Sequence, residues 1–481
     1  MRDPSSLKGA AARAVAADPP DLLGYLFNDH GNACRLKVLH GKDLRYCHAF
    51  KKWLVWDGCR WAVDDTGQAV RFTKQTALEF LKQTIDKRAG DPAERFARSC
   101  LNVRRLAGML SLAECEIFVR PSELDSDPNL LNFQNGTLDL RTSELRTHNP
   151  ADLITKLVHH DYRPHSRCPR WLSFLDEVMG GGPDASEGEL ARAQRMVEYL
   201  QRALGYSLTG CTIEKAVFVL FGEGDNGKST MLNTFRQLIE EYSVLLQADS
   251  LMVRQESNNT QADLADLRGA RYVQTSETEE GQRLAQGKLK RITQGMGKIK
   301  AVRKYENPIE FPETHKLWMD TNRKPTIRDA DDKATFNRLH PIPFTVTIPK
   351  DRLDRDLPAK LLLEAEGILA WGVAGANSWY ASGLQKPIEV EAAKDSWHSE
   401  ADQLGRFVAE CCILGENLRT SASALYSEYK RWAESGKEHP VTATAFGLKM
   451  PARGFEKRAL KHGTTYFGIG LRASDRDDGD E

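Results

Sequence analysis

No apolar run in the chain is long enough to cross a bilayer. The longest candidate, Leu361–Ala376, is broken by Glu364 and Glu366, and a spanning helix needs about 20 apolar residues. The N-terminus has no apolar centre of the signal-peptide kind. Nine cysteines occur without a C-x-x-C pair, and the adjacent Cys411 and Cys412 cannot easily bridge each other. That fits free thiols in a reducing compartment. His159-His160 reads as packing or surface rather than metal ligation. Net charge is also missing: 67 Lys and Arg balance 67 Asp and Glu. No overall field draws the protein to nucleic acid, so any basic site must be local and salt-sensitive. Together these absences predict a cytoplasmic location and no membrane partner.

What is present is ordinary globular composition, 41% apolar and 28% charged, over 481 residues. That length suggests about three domains. Residues 1–20 are Ala-rich with Pro19-Pro20 and read as flexible. Residues 21–167 mix short strands and helices. Lys52–Gly58 reads as a strand into a turn, and Asn135-Gly136 as a hairpin signal. Residues 168–212 read as helical, with Trp171, Phe174 and Leu175 spaced for one buried face and Gly180–Pro183 as a loop. Residues 213–394 hold the core described next, with helices behind it over 355–393. Residues 395–473 form a last unit, with a helix–helix–helix–strand pattern over 401–472. Residues 474–481 are an acidic tail.

The strongest motif is Val217–Thr234, an apolar strand, then Gly-x-x-x-x-Gly-Lys-Ser, then a helix start. This is a phosphate-binding loop in its expected setting. Gly222, Gly224 and Gly227 let the backbone turn tightly and bring N–H groups against phosphate oxygens, through Glu223, Asp225 and Asn226. Lys228 supplies charge for the β/γ-phosphates, Ser229 is placed to ligate Mg²⁺, and Thr230 continues into a helix whose N-terminus favours an anion. The chain is therefore expected to take ATP and Mg²⁺.

A triphosphatase also needs a carboxylate. Arg271–Glu280 reads as a short strand ending in acids, with Glu277 the first candidate and Glu279, on the same face, the alternative. From Gln286 to Lys304 there is no acid but seven cations: Lys288, Lys290, Arg291, Lys298, Lys300, Arg303 and Lys304. Ile299–Tyr305 followed by Asn307-Pro308-Ile309 reads as a hairpin. Lys290, Lys298, Lys300, Arg303, Lys304 and Tyr305 are candidates to grip a sugar-phosphate backbone. Lys316–Asn322 reads as a buried strand whose terminal Asn322 can orient an attacking water. Arg338, just before a strand, can reach a neighbouring subunit's phosphate.

In this order the motifs resemble a superfamily 3 helicase, a branch of the ring-forming AAA+ ATPases. The nearer resemblance is to the phage and plasmid primase–helicase family, related to the poxvirus primase–helicase. Gly31–Arg35, Trp53–Gly58, Asn135–Leu140 and Tyr199–Tyr206 are similar to that family's segments. The resemblance covers roughly residues 25–345. It implies an α/β AAA+ core with an α+β N-terminal domain, a helical collar and a C-terminal domain resembling a winged helix. It also implies a ring, usually hexameric, translocating 3′ to 5′ on single-stranded DNA and unwinding forks for a phage, plasmid or mobile element. Lys228, Ser229, Glu277 and Asn322 would act from one subunit and Arg338 from the next. Where the family often has two arginines this chain has Asn337-Arg338, so Arg323 and Arg328 are the fallbacks. Where it often has an acid after Gly295 this chain has Gly297-Lys298.

No cluster of acids ahead of the core suits two-metal nucleotidyl transfer, so a separate primase or initiator is the expected partner. In the last unit, Lys449, Arg453, Lys457, Arg458 and Lys461 surround the helices, and the second helix could enter a DNA groove. The alternatives are an ATP-switched origin-binding or scaffold protein, and an RNA-directed or packaging motor, since phosphate contacts carry no sugar information.

Overall fold

Runs such as Val-Phe-Val-Leu-Phe can be satisfied only by burial on both faces, which is the pattern of a parallel sheet. In the computed structural model the described residues are 20–253, 264–275, 282–302, 308–349, 351, 353–436, 438–461 and 463–472.

The chain starts with α1 (Asp29–His40), whose N-cap Asn28 accepts from the Gly31 N–H. An antiparallel meander follows, β1 (Leu44–Cys47), β2 (Lys52–Trp56) and β3 (Trp61–Val63), then helices α2 (Gln68–Asp86), α3 (Asp91–Ser99) and α4 (Val103–Glu116). Buried Arg35 holds this part together, donating to the carbonyls of Leu22 at 2.8 Å and Tyr25 at 2.7 Å. A second meander comprises β4 (Leu130–Phe133), β5 (Gly136–Asp139) and β6 (Glu144–Arg146). It turns over Gln134-Asn135, so the expected Asn135-Gly136 marks the hairpin with Gly136 already in β5.

Two helices then lead to the core, α5 (Pro169–Met179) and α6 (Glu187–Leu208). The second starts at a capping box between Ser186 and Glu189. Trp171, Phe174 and Leu175 are fully buried, as their spacing required.

The core contains β7 (Val217–Phe221), α7 (Lys228–Leu238), β8 (Ser243–Leu246), β9 (Tyr272–Thr275), α8 (Gln286–Ile292), β10 (Lys298–Ala301), β11 (Ile309–Pro312), β12 (Lys316–Thr321), α9 (Lys333–Phe336) and β13 (Leu339–Pro343). Five of these strands form a parallel sheet in the order β13-β7-β12-β9-β8. The first strand in sequence thus lies between the last two. Open α/β sheets place ligands at such a switch point, outside the carboxyl ends of the strands. The strands β10 and β11 form the expected antiparallel hairpin beside the sheet.

Behind the core lie α10 (Leu357–Leu362), α11 (Ala365–Ser382) and α12 (Ile388–Ala401). The contact of α11 with α6 is a backbone-to-backbone seam. A Cβ on Gly205 would collide with the main chain of Ala376 and Gly375, and one on Gly375 with the Gln201 carbonyl. Among the described residues, no helix is long and apolar enough to cross a membrane.

The last unit comprises α13 (Gln403–Cys411), β14 (Cys412–Ser421), α14 (Ala422–Ser435), α15 (Ala443–Ala452), β15 (Lys457–Leu460) and β16 (Gly463–Leu471), with strand order β14-β16-β15. The three expected helices and the final strand are present. The strands β14 and β15 were not anticipated, because both are largely exposed and lack apolar alternation.

Candidate nucleotide site

The loop after β7 takes its shape from glycines where a side chain is excluded. Gly222 has φ 151° and Gly227 φ 80°. A Cβ on Gly222 would strike the Phe344 carbonyl, and one on Gly227 would meet Val178 at 2.6 Å and Phe174 at 2.9 Å. Gly224 differs: nothing lies within 4 Å of its Cβ position, so that side of the loop is open. Asp225 also has positive φ, 58°, and Glu223, Gly224 and Asp225 are exposed.

Lys228 opens α7 yet is only 3% exposed. Its Nζ donates to the Gly222 carbonyl at 2.7 Å, to Asn226 Oδ1 at 3.0 Å and to Asn322 Oδ1 at 3.5 Å. Asn226 is buried and bonds through Nδ2 to the carbonyls of Glu223 and Phe344. Among the described residues, no protein acceptor takes the backbone N–H of Gly224, Asp225, Asn226, Gly227, Ser229 or Thr230. The loop therefore faces outward with unpaired donors beside one ammonium, at a helix N-terminus.

The end of β12 completes the site. Asn322 follows the strand, is exposed, and lies beside Lys228 as its position in the sequence predicts. Ser229 Oγ donates to Asp320 Oδ2 at 2.5 Å. Asp320 was not singled out from the sequence. Its signal was available: a carboxylate inside the otherwise strand-like Lys-Leu-Trp-Met-Asp-Thr. The acid candidates Glu277 and Glu279 lie outside the described residues. The strand that precedes them, β9, is adjacent to β12, with Thr275 opposite Met319.

Arg338 lies at the other end of the sheet. Its carbonyl accepts from the N–H of Val217 at the start of β7. The five-residue β7 separates it from the loop by roughly 16 Å. It cannot reach its own chain's loop, and its guanidinium donates to the Thr293 carbonyl at 3.1 Å and to the Ala334 carbonyl at 2.5 Å. Arg323 and Arg328 are exposed near the end of β12.

The basic candidates divide. Lys298 and Lys300 are exposed on one face of β10, alternating with buried Ile299 and Ala301. Arg303, Lys304 and Tyr305 lie outside the described residues. Lys290 sits on α8 and is paired with Asp332 at 2.7 Å, so it belongs to a separate contact. In the last unit, Lys449 pairs with Asp329 at 2.5 Å and Asp331 at 2.8 Å, and Arg453 with Asp331 at 2.9 Å and Asp402 at 2.6 Å. Those two cations hold the unit against the core. Among the described residues, no group of three or more His, Cys, Asp or Glu gathers as a metal site.

Residues 33–180 match the family described as "D5 N terminal like", and residues 220–338 match a "Family of unknown function". A protein of Acanthamoeba polyphaga mimivirus named "Putative helicase" is 25% identical over 339 residues, covering 65% of this chain and 34% of that protein. A "Putative helicase" of Invertebrate iridescent virus 6 is 27% identical over 241 residues, covering 48% of this chain and 24% of its own length. A third, of Frog virus 3, is 22% identical and covers 68% of this chain and 41% of its own length. The chain thus spans less than half the length of these relatives. A solved apo structure of the NrS-1 C-terminal region covers 91% of this chain and 98% of that one, at 10% identity and a TM-score of 0.48.

Proposed function

Taking the chain as a relative of the D5-like helicases, we propose that it is an ATP-dependent DNA helicase. It acts as a hexameric ring, moving 3′ to 5′ on single-stranded DNA to open forks during replication of a phage, plasmid or mobile element. A separate primase or initiator works with it.

The residues present fit Mg²⁺-ATP. The open side at Gly224, the outward N–H groups from Gly224 to Thr230 and the ammonium of Lys228 suit a polyphosphate, and Ser229 with a nearby carboxylate suits Mg²⁺. When bound, Mg²⁺-ATP supplies the phosphoanhydride whose cleavage drives the motor. The chain's own work is then positional. The loop N–H groups hold the phosphates. Lys228 exchanges the Gly222 and Asn226 oxygens for phosphate oxygens. Asn322 orients the attacking water, and Glu277 polarises it. Arg338 stabilises developing charge in the neighbouring subunit's site, and the β10–β11 hairpin carries the DNA contact.

The observation that carries this reading is the loop itself, with Lys228 and Asn322 meeting at the carboxyl edge of a parallel sheet. The test is ATP hydrolysis with and without single-stranded DNA. DNA should stimulate turnover severalfold, and Lys228→Ala should abolish it. Turnover indifferent to DNA would replace the motor by an assembly switch.

A further inference from the structure

We infer that Asp320 positions the metal at the nucleotide site and makes nucleotide uptake depend on a divalent cation. This rests on the assignment of the loop after β7 to a nucleotide.

The strand β12 is buried throughout, and Asp320 is only 7% exposed. Alternation puts Trp318, Asp320 and Asn322 on one face of the strand. Trp318 on that face stacks with Phe218 and Tyr272, and Tyr272 bonds to the Leu232 carbonyl of α7. Asp320 therefore looks toward the helix that begins with Lys228 and Ser229. Its register agrees with this: Asp320 is opposite Leu220, the next-to-last residue of β7, so it lies at the sheet edge from which the loop departs.

The Ser229 hydroxyl donates a hydrogen bond to Asp320 Oδ2 at 2.5 Å. Its remaining lone pairs are then turned away from the carboxylate, which is how a hydroxyl must sit to ligate a cation. Mg²⁺ is held by one or two carboxylates together with waters and phosphate oxygens. Asp320 is placed to accept from a metal-bound water while fixing the Ser229 ligand.

The sign of its charge gives the second half of the inference. A bare triphosphate arriving beside Ser229 meets a negative group a hydrogen bond away, and like charges at that range repel strongly. A cation between them reverses the interaction. The ammonium of Lys228 faces a phosphate chain that itself carries several negative charges. A site with Lys228 and no Asp320 would bind free nucleotide tolerably; this one should reject it.

The experiment uses the full chain and a fluorescent ATP analogue, titrated in Mg²⁺ and in EDTA. In the wild type, binding should be at least about tenfold weaker in EDTA. Asp320→Asn keeps an acceptor for Ser229 but removes the charge. It should bind more tightly in EDTA and less tightly in Mg²⁺, lowering the ratio of the two constants by about tenfold. Asp320→Glu keeps the charge and should keep the ratio near that of the wild type. If the wild type binds equally in both buffers, the inference fails with no variant needed. If the wild type prefers Mg²⁺ but Asp320→Asn leaves the ratio unchanged, Asp320 only braces Ser229 and the inference fails alone. Absence of binding in either buffer would overturn the nucleotide assignment and take this inference with it.

Discussion

Glu313 is a buried side chain whose ionisation depends on the fold. It lies between the β10–β11 hairpin and β12, where its Oε2 accepts from the N–H of Gln294 at 2.9 Å and of Gly295 at 3.1 Å. Burial outweighs these bonds and raises its pKa from 4.5 to about 7. The folded state therefore favours the protonated form. That stabilisation is fully present below 4.5 and is lost as the pH rises through about 7. It amounts to roughly 3 kcal/mol. Glu313→Gln should keep the stability at every pH. The gap in melting temperature between variant and wild type should widen from pH 5 to pH 8, as a thermal melt at each pH would record. A constant gap would mean that Glu313 stays ionised. Asp320 could be noticed in sequence as a carboxylate inside an apolar strand, but its partner Ser229 could not, and Glu313 could not be ranked at all, because its ionisation depends on burial and on the Gln294 and Gly295 N–H groups.

At the scale of elements, the β10–β11 hairpin presents two exposed lysines on one face. Lys300 faces outward opposite Glu310, and Lys298 opposite Pro312. Reversing both lysines, Lys298→Glu with Lys300→Glu, should weaken single-stranded DNA binding about tenfold at low salt and flatten the salt slope by about one to two. ATP binding should be unaffected. Fluorescence anisotropy across a salt series reads both quantities, and an unchanged slope would move the contact elsewhere. The two strands of this hairpin were legible because their signals are local: alternation and a basic run free of acids; its turn lies outside the described residues. The strand–loop–helix around Lys228 was legible for the same reason. Two cations of the last unit were not, while Lys457, Arg458 and Lys461 are exposed. Lys449 and Arg453 look in sequence like those of the hairpin, but the partners that occupy them, Asp329 and Asp331, lie about 120 residues earlier. Charge alone does not say whether a lysine faces solvent or closes an interface; only packing does.

The position of Arg338 has consequences for the whole molecule. It lies at the amino edge of the sheet and the loop at the carboxyl edge, so one chain cannot bring both to the same phosphate. The proposed activity then belongs to interfaces between copies. Lys228→Ala and Arg338→Gln should each be inactive alone. In an equimolar mixture about a quarter of interfaces would join an intact loop to an intact arginine. Turnover should return in proportion, measured against the unmixed proteins. If no activity returns although the copies co-assemble, Arg338 serves only its bonds to Thr293 and Ala334. The ordered set of motifs was readable in one dimension, but the sheet order that sends Arg338 away from the loop was not.

The seam between α6 and α11 bears on how such a chain can vary. Every single-base change in a glycine codon that alters the residue adds at least a β-carbon, or ends the chain. At Gly205 and Gly375 that carbon would have to occupy space filled by the opposite main chain. Drift at these two codons therefore has no gentle first step. A lineage could change the seam only by altering both helices together, so its spacing should persist while the surfaces around it diverge.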